Sequence, residues 1–529
     1  MNCSLLLRPA TVMMALCTLT GCGIGESIAG HPLTMGTTDR VTAVDPASGY
    51  DVGSWIVFNN VFQSLLSFPK AGSTPEPEAA RSCKFTDAVS KTFDCTLRHG
   101  LKFSNGDSLS SQDVKFSFER TLRINDDNGP AVLLDSIKTI DTPAADRVVF
   151  HLKYSDATFP MKIAAGAGSI VDHREYPADR LRTDDVAIGS GPYKLDAYEA
   201  GEEAVFSVND SYKGTAKLRN SGMTMKFYQD EPTLKKAVED GSVELAYRGL
   251  ASANIAALQK RSLAGDTRIE VVEGTGTEVQ HLVFNVEDPV TGNKAVRRAV
   301  AYLIDRKAFI RDVYQRTATP LYSIVPQGIT GHNNAFFDRY GEGGAKAKAQ
   351  ATLAGAGITG KVRFTLWATP IRFGPGTVAE LKAIARQLNT SGLFDVDVKT
   401  TDADQYAKDI AAGKYAVYVR GWVSDYPDPD NFTAPFFGDN NVLSNNYVNK
   451  RITGELIPRT AAQAVRASTT ADFEDLQDMV ADDVPIIPLW QGKQYVVAKD
   501  GIEGADSLLD ASTVFRIWEI HVKRGSSWW

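Results

Sequence analysis

Apolar positions along this chain follow two spacings in turn. Val362, Phe364 and Leu366 occupy every second position, the period of a half-buried strand. Val378, Leu381, Ile384, Ala385 and Leu388 then fall on one helical face. Phe394, Val396 and Val398 alternate again, and Tyr406 and Ile410 mark a short helix. Tyr-Ala-Val-Tyr-Val at 415–419 is a β-branched and aromatic run that reads as a buried strand. Strand, helix, strand, helix, strand in that order predicts a mainly parallel sheet with right-handed crossovers. Upstream, helical spacing covers 55–66. Ser110-Ser-Gln-Asp113 is a capping box that opens a helix with Val114, Phe118 and Leu122 on one face. The stretch 294–314 reads as one long amphipathic helix. Strands are expected at 148–152 and 281–285, and 514–522 is expected to return a strand to the first part of the chain.

Turn chemistry separates these runs. Asn105-Gly106 is a hairpin dipeptide, and Gly189-Ser-Gly-Pro192 forces a turn into the strand that follows. Glu273-Gly-Thr-Gly-Thr277 is read as one hinge crossing between domains, with Pro-Ile-Ile-Pro-Leu-Trp at 485–490 as the return. Two or more domains are expected in any case, because 529 residues exceed what one hydrophobic core supports. At 43% hydrophobic and 23% charged, the composition is that of an ordinary folded protein. A net charge of −7 with no long basic run argues against nucleic acid and against electrostatic binding to anionic lipid.

The densest chemistry lies just beyond the run at 415–419. There Gly421-Trp-Val-Ser-Asp-Tyr-Pro-Asp-Pro-Asp-Asn-Phe432 brings an indole, a phenol and three carboxylates into one turn. A turn that leaves a strand at the carboxyl edge of an open α/β sheet is where ligands bind. Pro427 and Pro429 fix φ, so side chains there lose little entropy when a ligand arrives. Trp422, Asp425 and Tyr426 are the ligand candidates, whereas Asp428 and Asp430 are read as ordinary turn chemistry. A second rim position is Arg372, which follows the strand at 362–366. A guanidinium grips a carboxylate bidentately and an aspartate pairs an ammonium, so Arg372 and Asp425 together suit a zwitterion such as a short peptide. They could equally pair with each other or with solvent.

Other chemistries are missing. Gly355-Ala-Gly-Ile-Thr-Gly-Lys361 nearly spells a phosphate loop, but Val362 replaces the Mg²⁺-binding hydroxyl and a strand follows instead of a helix. The seven histidines are scattered without a close Cys/His cluster, so no metal or cofactor is expected. No Gly-x-Ser-x-Gly elbow occurs, and no carboxylate dyad can be singled out from the acidic background.

At the N-terminus, Arg8 and a short apolar run at 12–17 precede Leu19-Thr-Gly-Cys22. The run is too short to span a bilayer and reads as the core of a signal peptide, 1–21. Leu-x-Gly-Cys resembles a bacterial lipobox, which implies diacylation at Cys22 and a body tethered by lipid outside the cytoplasm. Of the five cysteines, Cys83 and Cys95 then remain, and in an exported chain they read as one disulfide stapling a hairpin.

Six ordered blocks resemble the family 5 extracellular solute-binding proteins, the peptide- and nickel-type receptors of ABC importers. Gly-Trp-x-x-Asp-Tyr-Pro-Asp-Pro-x-Asn-Phe at 421–432 is one. The others are Leu97-Arg-x-Gly-x-Lys-Phe-x-x-Gly-Asp through Phe-Ser-Phe-Glu-Arg120, Gly-Ser-Gly-Pro-Tyr at 189–193, Asn-Asp-Ser-Tyr-Lys-Gly at 209–214, Phe284-Asn with Val296-Arg-Arg-Ala-Val-Ala-Tyr-Leu-Ile-Asp-Arg306, and the segment around Trp367. The resemblance implies an α/β periplasmic-binding-protein-like fold of two lobes joined by two hinge crossings. Lobe one would comprise 22–275 and 487–529, with an extra subdomain at about 60–185, and lobe two 276–486. It implies a monomer, not an enzyme, that captures a di- or oligopeptide and delivers it to a permease and its ATPase subunits. In dipeptide-type members the matching residues assign the peptide ammonium to Asp425 and its carboxylate to Arg372, while oligopeptide members rely on main-chain hydrogen bonds. A non-peptide solute in the same fold (a nickel chelate, sugar or haem) and a secreted hydrolase are the alternatives.

Overall fold

The computed structural model describes residues 32–266, 268–370, 376–439 and 441–523. Arg372, Cys22, the signal peptide and the terminal Trp528-Trp529 lie outside them.

Two long strands organise the chain. Ile269–Phe284 and Ile486–Lys499 run antiparallel and pair along most of their length. One end of this ribbon is buried in each half of the molecule, so the ribbon is the connection between two lobes. The ladder is interrupted between Thr275 and Val279. There the glycine-rich stretch does its steric work. A Cβ on Gly274 would lie 2.4 Å from that of Leu509, and one on Gly276 would lie 2.7 Å from the Gly492 carbonyl oxygen. The hinge is thus a break inside a strand rather than a loop before one, and the return crossing passes through 491–494, just beyond the expected 485–490.

Each end of the ribbon seeds its own sheet region. On one side Val417–Trp422 pairs antiparallel with Ile269–Phe284, followed outward by Val362–Ala368 and Phe394–Thr400 in parallel register. Helices Thr377–Thr390 and Ala403–Ala411 make the crossovers, as the alternating periodicities predict. On the other side Leu245–Tyr247, Leu33–Thr37, Gly222–Phe227, Glu203–Val208 and Tyr193–Glu199 continue the same sheet. A separate sheet, Ala80–Phe85, Thr92–Leu97, Arg147–Leu152 and Ile137–Ala144, is covered by helix Ser111–Ile124, whose Phe118 meets Phe150 edge-on at 5.2 Å. Cys83 and Cys95 are directly opposite across the first two of these strands and form a disulfide with Cα atoms 4.1 Å apart.

The apolar interior divides accordingly. One cluster draws on Leu33 to Tyr247 and Val496 to Ile520, and a second on Val279 to Trp490. Tyr426 is the exception, because it belongs by sequence to the second lobe yet packs in the first cluster.

Two expectations are corrected. The stretch 294–314 is two helices, Lys294–Leu303 and Arg306–Asp312, because the Asp305 carboxylate caps the second by accepting from the Ala308 N–H at 3.0 Å. The stretch 514–522 is mostly a 3-10 turn, Ile517–Glu519, followed by the two-residue strand His521–Val522. Its apolar residues pack into the first lobe without joining the main sheet.

Candidate functional site at the lobe interface

Val417–Trp422 delivers the 421–438 turn to the hinge. Trp422 is opposite Val279 in the ladder, and the Ser424 and Thr277 hydroxyls are 2.7 Å apart just past the last pair. From there the chain folds back on itself. Pro429–Phe432 forms a 3-10 turn that presents Asn431 to the strand end. The Asn431 carbonyl accepts from Trp422 Nε1 at 2.8 Å and from the Asp425 backbone N–H at 3.2 Å, while its amide donates to Asp425 Oδ2 at 3.0 Å. Asn431 thereby fixes both candidate side chains.

The other Asp425 oxygen faces the opposite lobe. The Tyr50 hydroxyl donates to Asp425 Oδ1 at 2.6 Å. Asp425 is only 8% exposed, and both its side-chain partners are neutral. Burial pushes its carboxyl above the usual range, a rise that the hydrogen bonds from Asn431 and Tyr50 oppose only in part. An ionised carboxylate offers about four acceptor positions, of which Tyr50 and Asn431 fill two among the described residues. Nothing in the sequence around Tyr50 marks it for this place. Its contact with Asp425 spans 375 residues.

Two chambers, of about 950 Å³ and about 270 Å³, share Tyr50, Trp422 and Asp425 in their walls. Tyr426 lines the larger one but is buried, with its hydroxyl donating to Asp430 Oδ2 at 3.1 Å. It buttresses the site more than it faces it. Asp430 departs from the turn-chemistry reading, since it lines the larger chamber. Asp428 fits that reading: it caps Pro429–Phe432 and takes a bidentate grip from Arg466 at 2.7 and 2.8 Å. Nearby, burial pushes the Asp156 carboxyl up, but the Lys162 ammonium at 2.9 Å and two hydroxyls bring it below the usual range. The larger chamber is on balance acidic, with Asp135, Asp156, Asp425, Asp430 and Asp439 against Lys91 and Lys162.

Among the described residues, one group of side chains has the spacing of a metal site: Asp113, Asp172 and His173. It lies outside both chambers, the His173 ring is hydrogen-bonded to Asp113 at 2.6 Å, and Arg174 pairs with Asp172 at 2.6 Å. It is an ion-pair network. Among the described residues, no helix is long and apolar enough to cross a membrane.

Two lobes on a two-stranded hinge, with a walled cavity between them, define the architecture of periplasmic binding proteins. The chain matches the model of the bacterial extracellular solute-binding proteins, family 5, over residues 74–444, and it belongs to that family. It is a solute-binding protein of the ABC-transporter type and not an enzyme. It is 24% identical to the probable D,D-dipeptide-binding periplasmic protein DdpA of Escherichia coli, with 94% of this chain and 95% of that protein covered. It is 25% identical to heme-binding protein A of Haemophilus influenzae, covering 92% and 93%. Among solved structures, the Helicobacter pylori periplasmic binding protein DppA in complex with the peptide STSA superposes with a TM-score of 0.75 at 20% identity, covering 94% of this chain and 98% of that one. That superposition speaks for the fold.

Proposed function

We propose that this protein captures a short peptide between its lobes and holds the peptide's ammonium group at Asp425. One observation carries the reading: a nearly buried carboxylate, oriented by Asn431 and Tyr50, lines both chambers and has only neutral hydrogen-bond partners among the described residues. An ammonium supplies the missing charge and fills the open acceptor positions, which is worth most in a cleft closed to water. Trp422 contributes ring surface, since its N–H is committed to Asn431. Tyr426 stiffens the turn; Arg372, to which the family resemblance assigns the peptide carboxylate, lies outside the described residues. Relatives named for dipeptides and for di/tripeptides support the ligand class. The division of the apolar clusters supports the sequence limits proposed for the lobes, 22–275 with 487–529 and 276–486, except at the return crossing, where Ile487, Leu489 and Trp490 pack with the second lobe.

The protein then hands its ligand to an ABC permease driven by ATPase subunits, acting as a monomer tethered through lipid on Cys22 at the outer face of the cell membrane. Cys22→Ser should leave it unprocessed or release it from membranes. A mutant that fractionates in mature form with membranes argues against the anchor. Haem is the second reading, favoured by the relative named heme-binding protein A. Native mass spectrometry of the protein as purified separates the two. A co-purified peptide is the expected result, and a porphyrin mass or a sugar overturns the peptide reading.

A further inference from the structure

We propose that the smaller chamber is a carboxylate subsite in which Arg248 and the Trp55 indole N–H receive the ligand's carboxylate while Asp425 holds its ammonium. The inference rests on the peptide reading above and names the groups that measure the peptide's length.

The chamber's walls come from both lobes: Trp55, Arg248 and Gln494 on one side, Trp422, Ser424 and Asp425 on the other. Two of the first three share an anomaly. Trp55 Nε1 and Gln494 Oε1 are each buried with no hydrogen-bond partner among the described residues, and Arg248 beside them is held through its Nε, 3.1 Å from Asp39 Oδ2. Buried polar atoms are paired in nearly all folded proteins, so two unpaired ones beside a guanidinium call for a common partner. Their chemistry specifies it. The indole and the guanidinium are donors and the amide oxygen is an acceptor, which suits a carboxylate beside a peptide N–H. The remaining charge is an ammonium, and Asp425 lies across the same chamber. A compact zwitterion with an amide between its ends is a dipeptide. At about 270 Å³ the chamber suits a main chain of that length, while side chains or further residues extend into the larger one.

Arg248 is held for this role by its backbone and by one neighbour. It directly follows strand Leu245–Tyr247 with φ +63°, a conformation rare for a side chain of its size, and Gly249 continues at φ +85°. A Cβ on Gly249 would lie 2.2 Å from the Thr38 hydroxyl, so the turn packs too closely for a larger residue. Asp39 Oδ2 lies 3.1 Å from Arg248 Nε as an ion pair. Asp39 is not part of the chamber wall, so it engages one edge of the guanidinium from outside. A guanidinium has five donors, and one edge can stay with Asp39 while another meets a ligand.

Calorimetric titration with alanyl-leucine and with its C-terminal amide tests this in the wild type, Arg248→Gln and Arg372→Gln. In the wild type, amidation should weaken binding by roughly 10- to 100-fold, the loss of a charge-assisted pair. In Arg248→Gln the penalty should shrink to under about threefold, while in Arg372→Gln it should persist. A full penalty in Arg248→Gln, or one abolished by Arg372→Gln, overturns the assignment. Failure of alanyl-leucine to bind the wild type overturns the peptide reading and this inference with it, and is seen before any variant is made. Should Arg248→Gln fail to fold, Trp55→Phe keeps the ring and removes only the N–H. The amide penalty should narrow there too, and an unchanged penalty counts against the subsite.

Discussion

Asp425 in the cleft and Glu380 inside the second lobe are solvated by the same kinds of donor, although Asp425 uses both oxygens and Glu380 receives its donors on Oε2, with no partner for Oε1 among the described residues. Each accepts from a tyrosine hydroxyl and from a side-chain amide, Tyr50 and Asn431 for the first, Tyr314 and Gln280 for the second. Glu380 adds a contact from Trp490 Nε1 at 3.3 Å. Neither has a lysine or arginine in contact among the described residues, and burial raises both carboxyls, Glu380 to about 8. The difference is access. Asp425 borders two chambers between the lobes, whereas Glu380 is fully buried and borders neither. Burial with neutral donors therefore does not by itself make a ligand anchor. In Glu380 the same arrangement favours an uncharged carboxyl in the lobe core. In Asp425 it leaves a charge for an incoming cation to complete.

The largest effect sharpens the contrast with a third carboxylate. Asp428 is 2% exposed and gripped by Arg466. Asp428→Asn strands that cation and should cost the fold about 3–5 kcal/mol, toward the lower end because the amide still accepts one hydrogen bond. Chemical denaturation measures it. Ligand affinity should hold, since Asp428 borders neither chamber. Asp428 is accordingly a better control for Asp425 than Asp430, which lines the larger one.

Next comes Asp425→Asn. Leaving a ligand ammonium unpaired in a closed cleft should cost roughly 2–5 kcal/mol of binding, at least tenfold in affinity by calorimetry with alanyl-leucine. Stability of the ligand-free protein should change little. The substitution removes a desolvated charge but turns an amide N–H toward the Asn431 amide. The pH dependence has a definite sign. Cation binding needs the ionised carboxylate, so affinity should fall as pH drops toward a pKa above the ordinary carboxylate range. Glu380→Gln should leave affinity at neutral pH unchanged. Equal losses in the two variants would erase the distinction between them.

What the sequence revealed and what it hid divide along the same line. The periodicities of the second lobe were legible because each element there packs locally, strand against adjacent helix. The 421–438 turn was legible because its prolines, aromatics and carboxylates are contiguous. Tyr50 was not, since only the closure of the two lobes brings it to Asp425, and no local pattern encodes that. Asn431 was visible within the turn, but its role in holding both Trp422 and Asp425 depends on the 3-10 geometry of 429–432. The break at Asp305 was hidden by apolar residues that keep helical spacing across it, although an aspartate three residues before Ala308 is itself a capping signal. At 514–522, apolar content indicated burial correctly and a strand incorrectly, because a short apolar run does not distinguish the two.

The smallest effect tests the interior member of the pair. With its carboxyl held at about 8, Glu380 carries a proton in the folded protein where the unfolded chain, near 4.5, has released it. Its contribution to stability is fully present below the unfolded pKa and is lost as pH rises through about 8. Between pH 7 and pH 9 the loss should be about 1.3 kcal/mol, from roughly 1.4 kcal/mol per pH unit and a carboxyl that is one-tenth ionised at the start. Glu380→Gln keeps an acceptor for Tyr314, Trp490 and Gln280 and has nothing to titrate. Its denaturation free energy should therefore decline less than the wild type's over that range, and by pH 9 the variant should equal or exceed the wild type. Parallel pH profiles for wild type and Glu380→Gln would mean that the interior carboxyl is ionised at neutral pH. Access alone would then no longer separate the two sites, and the case for Asp425 would rest on the ligand titration.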